Sequence, residues 1–207
     1  MEYLLAYLFD ILNPETIIRY GGLTLLLIIV FAETGLFFGF FLPGDSLLFI
    51  AGLLSDSEYI DQPVWLLIIM LVIAAVSGSS VGYYFGAWTG LRLKNKKENL
   101  FYKRKYLEMT ENFYQKHGLM AFILGRFLPI IRTFVPILSG VIRIPFGKFF
   151  LFNVIGAVCW IVTMVVAGHL LGNAFPNLID HIEYIVVGLV IVTAIPVIIT
   201  YRKNRVQ

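Results

Sequence analysis

The chain has 207 residues, of which 59% are hydrophobic and only 14% are charged, whereas about 25% of residues are charged in a typical soluble domain. This composition excludes an ordinary soluble domain and predicts an integral membrane protein of one domain, residues 1–207. One cysteine and three scattered histidines exclude a disulfide framework and a clustered metal site. We therefore expect no metal and no cofactor, and we expect the Cys159 thiol to be buried in an apolar helix.

Apolar segments follow one another along the chain. Residues 1–32 fit two interpretations, an interfacial helix followed by a span or a long first arm of a hairpin, and the sequence does not separate them. Full spans need about 20 apolar residues, so we predict membrane-spanning helices over 64–91, 146–172 and 182–201.

Two further apolar runs, 33–54 and 119–142, are interrupted near their centres. Residues 39–43 (GFFLP) and residues 125–129 (GRFLP) share one pattern, with the second copy 86 positions after the first. Non-helical backbone at membrane depth is tolerated only where protein or a water-filled cavity satisfies it. Both runs are therefore predicted to be re-entrant hairpins, and the residues that break them are Pro43, Gly44, Pro129 and Gly140.

Lys and Arg are concentrated in residues 92–117 and at the C-terminus, so the positive-inside rule places both in the cytoplasm. The predicted fold is all-α, with an inverted repeat of two hairpins. The first hairpin and its helix occupy 33–91, and the second pair occupies 118–172. A C-terminal transmembrane helix follows over 182–201. The connecting segment 92–117 is basic and then amphipathic, which predicts an interfacial helix on anionic lipids rather than a nucleic-acid site.

Glycines recur every fourth residue in the helices that follow the hairpins. Small residues at this spacing let helix backbones approach closely in a membrane, so we predict packing rather than ligand binding for these glycines. They are Gly82, Gly86, Gly90, Gly168 and Gly172.

Four charged residues interrupt the two hairpins: Glu33, Asp45, Arg126 and Arg132. Each costs about 2.5–3.5 kcal/mol at the centre of a bilayer on insertion scales. Two acids and two bases neutralise one another if the hairpin tips meet. One interpretation is a structural network of salt bridges. We favour a functional one, because uncharged side chains would make a purely structural tie at lower desolvation cost.

The two arginines predict a phosphate site. Arg126 and Arg132 are six positions apart, which places them on different faces of an unbroken helix, but the break at Pro129 can turn both toward one cavity. Each guanidinium is a planar fork of donors suited to phosphate, and Thr133 can add a hydroxyl. Glu33 and Asp45 are then the counter-charges, which bind or release a proton when a phosphate displaces them from the arginines.

Catalysis is the weaker interpretation. A presenilin-type protease needs two intramembrane aspartates, and only Asp45 lies at membrane depth. A rhomboid-type dyad would have to join Ser77, Ser79 or Ser80 to His169 without the usual glycine frame. We predict that the protein is not an enzyme and that it has no catalytic residues.

Taken together, the segments 33–45, 125–133 and 139–145 resemble the bacterial DedA family, whose VTT or SNARE-associated domain is shared with eukaryotic lipid scramblases. The resemblance extends over about residues 30–172. It continues through Phe149, Phe150, Asn153, Gly156, Trp160 and Gly172. One departure is Ser79, since many members have Asp at that position of the helix after the first hairpin.

The resemblance implies a multi-pass protein of the bacterial inner membrane, with its C-terminus in the cytoplasm, that moves a phosphate-bearing lipid between leaflets. Undecaprenyl phosphate, returned for reuse, is the expected substrate, and the resemblance also implies a dependence on the proton motive force. The alternatives are a scramblase or flippase of phospholipids such as phosphatidylethanolamine, and a membrane organiser that transports nothing. The family's functional acids and arginines correspond to Glu33, Asp45, Arg126 and Arg132.

Overall fold

The computed structural model describes residues 14–39, 42–55, 60–94, 126 and 129–175, and it is helical throughout most of these ranges. The helices are α1 (Pro14–Gly35), α2 (Gly44–Leu53), α3 (Val64–Lys94), α4 (Pro129–Val141) and α5 (Phe146–Ala174). The described ranges contain no strand, and their only β-type pairing is an isolated bridge between Ser55 and Ile60. The all-α prediction is confirmed.

Helix α1 lies in the N-terminal segment for which the sequence allows two interpretations. It begins at Pro14 and bends at Gly22, which has φ 54° and ψ −155°. This φ lies in the left-handed region that glycine adopts without the steric cost of a Cβ, so Gly22 allows the bend. A second helical stretch continues to Gly35, and residues 1–13 lie outside the described ranges.

The chain breaks between α1 and α2 where the sequence predicts it. The Gly39 amide donates to the Leu36 carbonyl in a turn after α1, and the Leu47 amide donates to the Pro43 carbonyl as α2 begins at Gly44. Pro129 is the first residue of α4, a position where its missing N–H costs nothing. Gly140 differs from the prediction, because it lies within the last turn of α4 and does not break the helix.

Two of the described helices are long and apolar enough to cross a membrane, over Val64–Gly90 and Phe146–Ala174. They correspond to the spans predicted over 64–91 and 146–172. The third predicted span, 182–201, lies outside the described residues. The same holds for nearly all of 92–117 and for the first part of the predicted second hairpin, except Arg126. Cys159 is exposed on α5, so the expectation of a buried thiol was wrong; its side chain lies on the outer face of that helix.

The chain forms two compact units. Unit 1 contains residues 1–30, 41–71 and 161–207, and in it α2 packs closely on the second half of α5. A Cβ added at Gly52 would collide with the Val165 carbonyl, and one at Gly168 would collide with the Phe49 carbonyl. Both backbones therefore approach so closely that only glycine fits at these two positions.

Unit 2 contains residues 31–40 and 72–160, and in it α4 packs on α3 by the same contacts. A Cβ at Gly140 would collide with the Tyr83 carbonyl, and one at Gly86 would collide with the Ile137 carbonyl. The two crossings match in register, since Val165 and Tyr83 each lie three residues before the glycine that contacts the partner helix. Each unit thus contains one copy of the same helix crossing, and the predicted packing role of the glycines is confirmed.

The crossing generates a prediction about stability. Gly86→Ala should lower the free energy of unfolding by about 1–3 kcal/mol, the usual cost of overpacking, because the added Cβ has no space beside Ile137. Thermal unfolding of the purified protein in detergent measures the effect. Gly147→Ala is the matched control, since a Cβ there meets nothing within 4 Å. Equal stability of the two variants would contradict the close crossing.

Candidate functional site

The site lies in unit 2 and begins with an ion pair. Glu33 is near the end of α1 and Arg132 is in the first turn of α4; their side chains are 0% and 2% exposed, and the guanidinium Nη2 donates to the carboxylate Oε1. The next residue, Thr34, donates its hydroxyl to the Ala75 carbonyl of α3 at 3.1 Å. This hydrogen bond fixes the end of α1, and with it Glu33, against α3.

Arg132 has a second contact of a different kind. Its guanidinium carbon lies 4.5 Å from the centroid of the Trp160 ring, within the distance over which a cation is attracted to an aromatic face. Trp160 lies on α5 and its side chain is fully buried. Arg132 is therefore bound by a carboxylate from α1 and by an aromatic ring from α5.

Arg126 precedes α4 and is bound by two neutral side chains. Its Nη2 donates to the Ser79 hydroxyl at 2.9 Å and to the Asn153 side-chain carbonyl. Both acceptors are themselves fixed to α3, because the Ser79 hydroxyl donates to the Ala75 carbonyl at 2.8 Å and the Asn153 amide donates to the Val76 carbonyl at 3.4 Å. The second terminal nitrogen of Arg126, Nη1, is buried without a hydrogen-bond partner among the described residues.

Both arginines line one small cavity, together with Val135, Pro136, Phe149 and Asn153. The volume of this cavity is about 10 Å³, which is about what one water molecule needs. The cavity is polar on the side of the arginines and Asn153, and apolar on the side of the other three residues. A phosphate group is larger than water and needs these walls to move apart before it can enter.

Charge is not balanced in the part of unit 2 that the structure describes. Two buried arginines lie beside a single buried carboxylate, that of Glu33. A buried charge is costly unless it is paired, so the excess of one buried positive charge is an electrostatic cost to the described part of this unit.

The remaining predicted residues are buried but differ in location. Thr133 follows Arg132 on α4 and is 1% exposed. Asp45 is 8% exposed in the first turn of α2, which belongs to unit 1. The structure therefore brings together Glu33, Arg126 and Arg132 within one unit and places Asp45 in the other.

Three residues at the site did not emerge from reasoning about charge: Ser79, Asn153 and Trp160. Asn153 carried a usable signal, because an amide buried within a 29-residue apolar helix needs a polar partner. Ser79 occupies the position where the family resemblance leads one to expect Asp, and the structure gives its hydroxyl a defined task, accepting from Arg126. Trp160 carried no such signal, since a buried tryptophan is ordinary in an apolar helix.

His169 is bound to neighbouring side chains in unit 1. Its Nδ1 lies 2.7 Å from the Ser55 hydroxyl, and its Nε2 lies 3.0 Å from the side-chain nitrogen of Asn173. The Ser55 hydroxyl is also 2.8 Å from the Gly52 carbonyl, to which it donates. The histidine therefore links the end of α2 to α5, in keeping with a packing role.

The fold and the site together define a helical membrane protein with two arginines buried beside a single carboxylate in one of its units. The VTT domain family matches residues 42–170. Protein DedA of Escherichia coli K12 is 38% identical over 198 residues, which cover 95% of this chain and 90% of that protein. The chain belongs to the DedA family of VTT-domain membrane proteins.

The chain is also similar to two further bacterial membrane proteins. An uncharacterized membrane protein of Mycobacterium tuberculosis is 35% identical over 206 residues, covering 95% of this chain and 90% of the relative. Inner membrane protein YqjA of Escherichia coli K12 is 32% identical over 148 residues, covering 72% of this chain and 66% of that protein. No solved structure gives a significant match.

The ion pair yields a stability prediction. Glu33→Gln leaves the Arg132 charge buried without its carboxylate, and we expect the free energy of unfolding to fall by about 3–5 kcal/mol. In the double variant Glu33→Gln with Arg132→Gln the loss should be smaller than the sum of the two single losses by at least about 1 kcal/mol. Chemical unfolding in detergent measures all three.

Arg143 offers the matched control for this cycle. It is an exposed arginine of the same unit, so Arg143→Gln should add to Glu33→Gln without coupling. Additive effects at Glu33 and Arg132 as well would mean that the two side chains do not form an ion pair that contributes to folding.

Proposed function

We propose that the protein moves a phosphate-bearing lipid between the leaflets of the bacterial inner membrane, and that the substrate is undecaprenyl phosphate returned from the outer to the inner leaflet. The observation that carries the proposal is the pair of buried arginines lining one cavity, one of which has a terminal nitrogen without a hydrogen-bond partner among the described residues. Arginine offers planar, bidentate donors that match phosphate oxygens. The lipid tail stays in the bilayer while the headgroup crosses.

The two arginines have different tasks in this proposal. Arg126 is bound only by neutral acceptors within the described part of its unit, so its full charge is available to an incoming phosphate. Arg132 is neutralised by Glu33, and a phosphate has to compete with that carboxylate. Because the cavity has room for about one water molecule, the residues that line it, Arg132 among them, also have to move apart to admit the headgroup.

Charge balance links the substrate to a proton. A phosphate monoester carries close to two negative charges at neutral pH. Two arginines neutralise it only if Glu33 is protonated, because an ionised Glu33 would leave the buried cluster with one excess negative charge. Uptake of one proton with each monoester therefore gives the least costly buried state. Asp45, a buried carboxylate of the other unit, is proposed as a second proton-binding group and counter-charge, and it is not part of this charge count for unit 2.

The same balance supports a second candidate, a phospholipid scramblase or flippase. The phosphate of a phospholipid is a diester with one negative charge, and the described cluster with Glu33 ionised has one excess positive charge. A phospholipid would therefore bind without proton uptake. Monoester transport should depend on a pH gradient, whereas diester transport should not.

The repeated helix crossing supports the proposed architecture. We propose that residues 33–91 and 118–172 are two inverted repeats, and that the α2–α5 and α3–α4 crossings are equivalent contacts, each of which pairs the hairpin arm of one repeat with the helix of the other. In this arrangement each hairpin is re-entrant, and the C-terminus and residues 92–117 face the cytoplasm beside anionic lipids. Matched contacts at Gly52 and Gly140 are what a duplicated hairpin arm would retain.

The transport prediction compares wild-type protein with Arg126→Ala and Arg132→Ala in proteoliposomes. We expect the wild type to move polyprenyl phosphate between leaflets. The transport rate of each variant should be at least about 100-fold lower, since each removes one of two charged phosphate donors. Glu33→Gln should retain binding but lose the dependence on an imposed pH gradient. Arg143→Ala is the matched control, because Arg143 is exposed, and it should transport normally.

Other outcomes would favour the alternatives. Movement of phospholipid alone, independent of pH, would favour the scramblase. A protein in which Glu33→Arg and Arg132→Glu are combined keeps an ion pair but reverses its orientation. Wild-type transport by this swapped variant would contradict the phosphate site, and absence of any lipid movement would favour a membrane organiser whose ion pair is structural.

The topology prediction uses single cysteines. After replacement of the exposed native Cys159 by Ser, thiols introduced by Lys116→Cys and Lys148→Cys should both react with a membrane-impermeant reagent from the cytoplasmic side. Both positions flank the second hairpin, which enters and leaves on one face in the proposed arrangement. Labelling from opposite sides would mean that residues 119–142 span the membrane and that the inverted repeat is wrong.

A further inference from the structure

One face of α5 carries the contacts to both arginines. Asn153 and Trp160 are seven positions apart, about two helical turns, and so lie on the same side of the helix. Asn153 accepts from Arg126, and the ring of Trp160 lies over Arg132. Gly156 and Ala157, which lie between them, are small and buried. This face of α5 therefore contacts the arginine pair at two points separated by small side chains.

Glu33 and Trp160 have different effects on the charge of Arg132. Glu33 neutralises the guanidinium, so a phosphate and Glu33 exclude each other as its counter-ion. The Trp160 ring attracts the cation through its quadrupole but carries no net charge. A guanidinium over this ring keeps both its position and its full charge for an anion.

We propose that Trp160 is a positioning residue of the phosphate site, which keeps Arg132 in place while Glu33 is separated from it. This inference rests on the proposed function. Without the ring, an arginine released by Glu33 would lose a contact that restricts its side chain, and ordering the long side chain again would weaken phosphate binding. With the ring, the guanidinium passes from carboxylate to phosphate without leaving its place.

The first test compares Trp160→Phe and Trp160→Leu in the polyprenyl phosphate assay. Trp160→Phe keeps an aromatic face and should retain at least about one third of the transport rate. Trp160→Leu removes the quadrupole and should raise the apparent KM for the lipid about tenfold, equivalent to about 1.4 kcal/mol. Trp88→Leu is the control, since Trp88 is half exposed, and it should leave transport unchanged.

The outcomes separate this inference from the function on which it rests. If the wild type moves no phosphate-bearing lipid, the proposed function fails and the role of Trp160 fails with it. If the wild type transports and the two Trp160 variants, compared at equal amounts of folded protein, have the same apparent KM, only the role of Trp160 is overturned.

The second test keeps Trp160 and needs no transport. The chain has three tryptophans, so Trp65→Phe with Trp88→Phe leaves Trp160 as the only indole fluorophore. Its emission should change when Arg132→Met is added, because a cation is removed from the ring face. Geranyl phosphate, a short soluble monoester, should also change the emission when Arg132 is present but not in the Arg132→Met protein. Identical emission with and without Arg132→Met would overturn the inference.

Discussion

Burial of two guanidinium groups inside a helical membrane protein is the constraint on which the site depends. Each cation loses its hydration, and the surrounding helices have to replace it. The structure does this in two ways. Arg132 obtains a carboxylate and an aromatic face, while Arg126 obtains a hydroxyl and an amide oxygen. The first solution neutralises the charge and the second leaves it in place, so two identical residues acquire different properties from their neighbours.

These neighbours come from three helices, α1, α3 and α5, and glycine contacts fix both α1 and α4 against α3. Gly35 and Gly78 let α1 approach the backbone of α3, where Thr34 adds a hydrogen bond to Ala75. Gly86 and Gly140 bring α4 against α3. The positions of Glu33 and of the second half of α4 are thus set by backbone contact, which changes little when side chains move. The α1–α3 and α3–α4 contacts therefore determine both how these helices pack and which side chains lie beside the arginines.

Much of this arrangement follows from the sequence because burial of charge is costly. Glu33, Arg126 and Arg132 stand out by cost alone, and the Pro and Gly residues mark where helices α2 and α4 begin. The pairing did not follow, because Glu33 could have reached either arginine, and the choice of Arg132 depends on how α1 and α4 pack. Cys159 shows a related limit. In a membrane protein apolar residues face lipid as well as the core, so hydrophobicity does not tell which side of α5 is buried.

The size of the cavity bears on how such a site can select its ligand. A cavity with space for about one water molecule is not a preformed pocket for a headgroup, so the shape of the ligand cannot be the main basis of selection. In the proposed function charge is the criterion instead, because an entering anion would compete with Glu33 for Arg132 and would benefit from the charge on Arg126. A neutral headgroup would not displace Glu33 and would leave the ion pair intact. On this proposal the Glu33–Arg132 pair selects for anions, which gives a costly buried charge pair a use at this position.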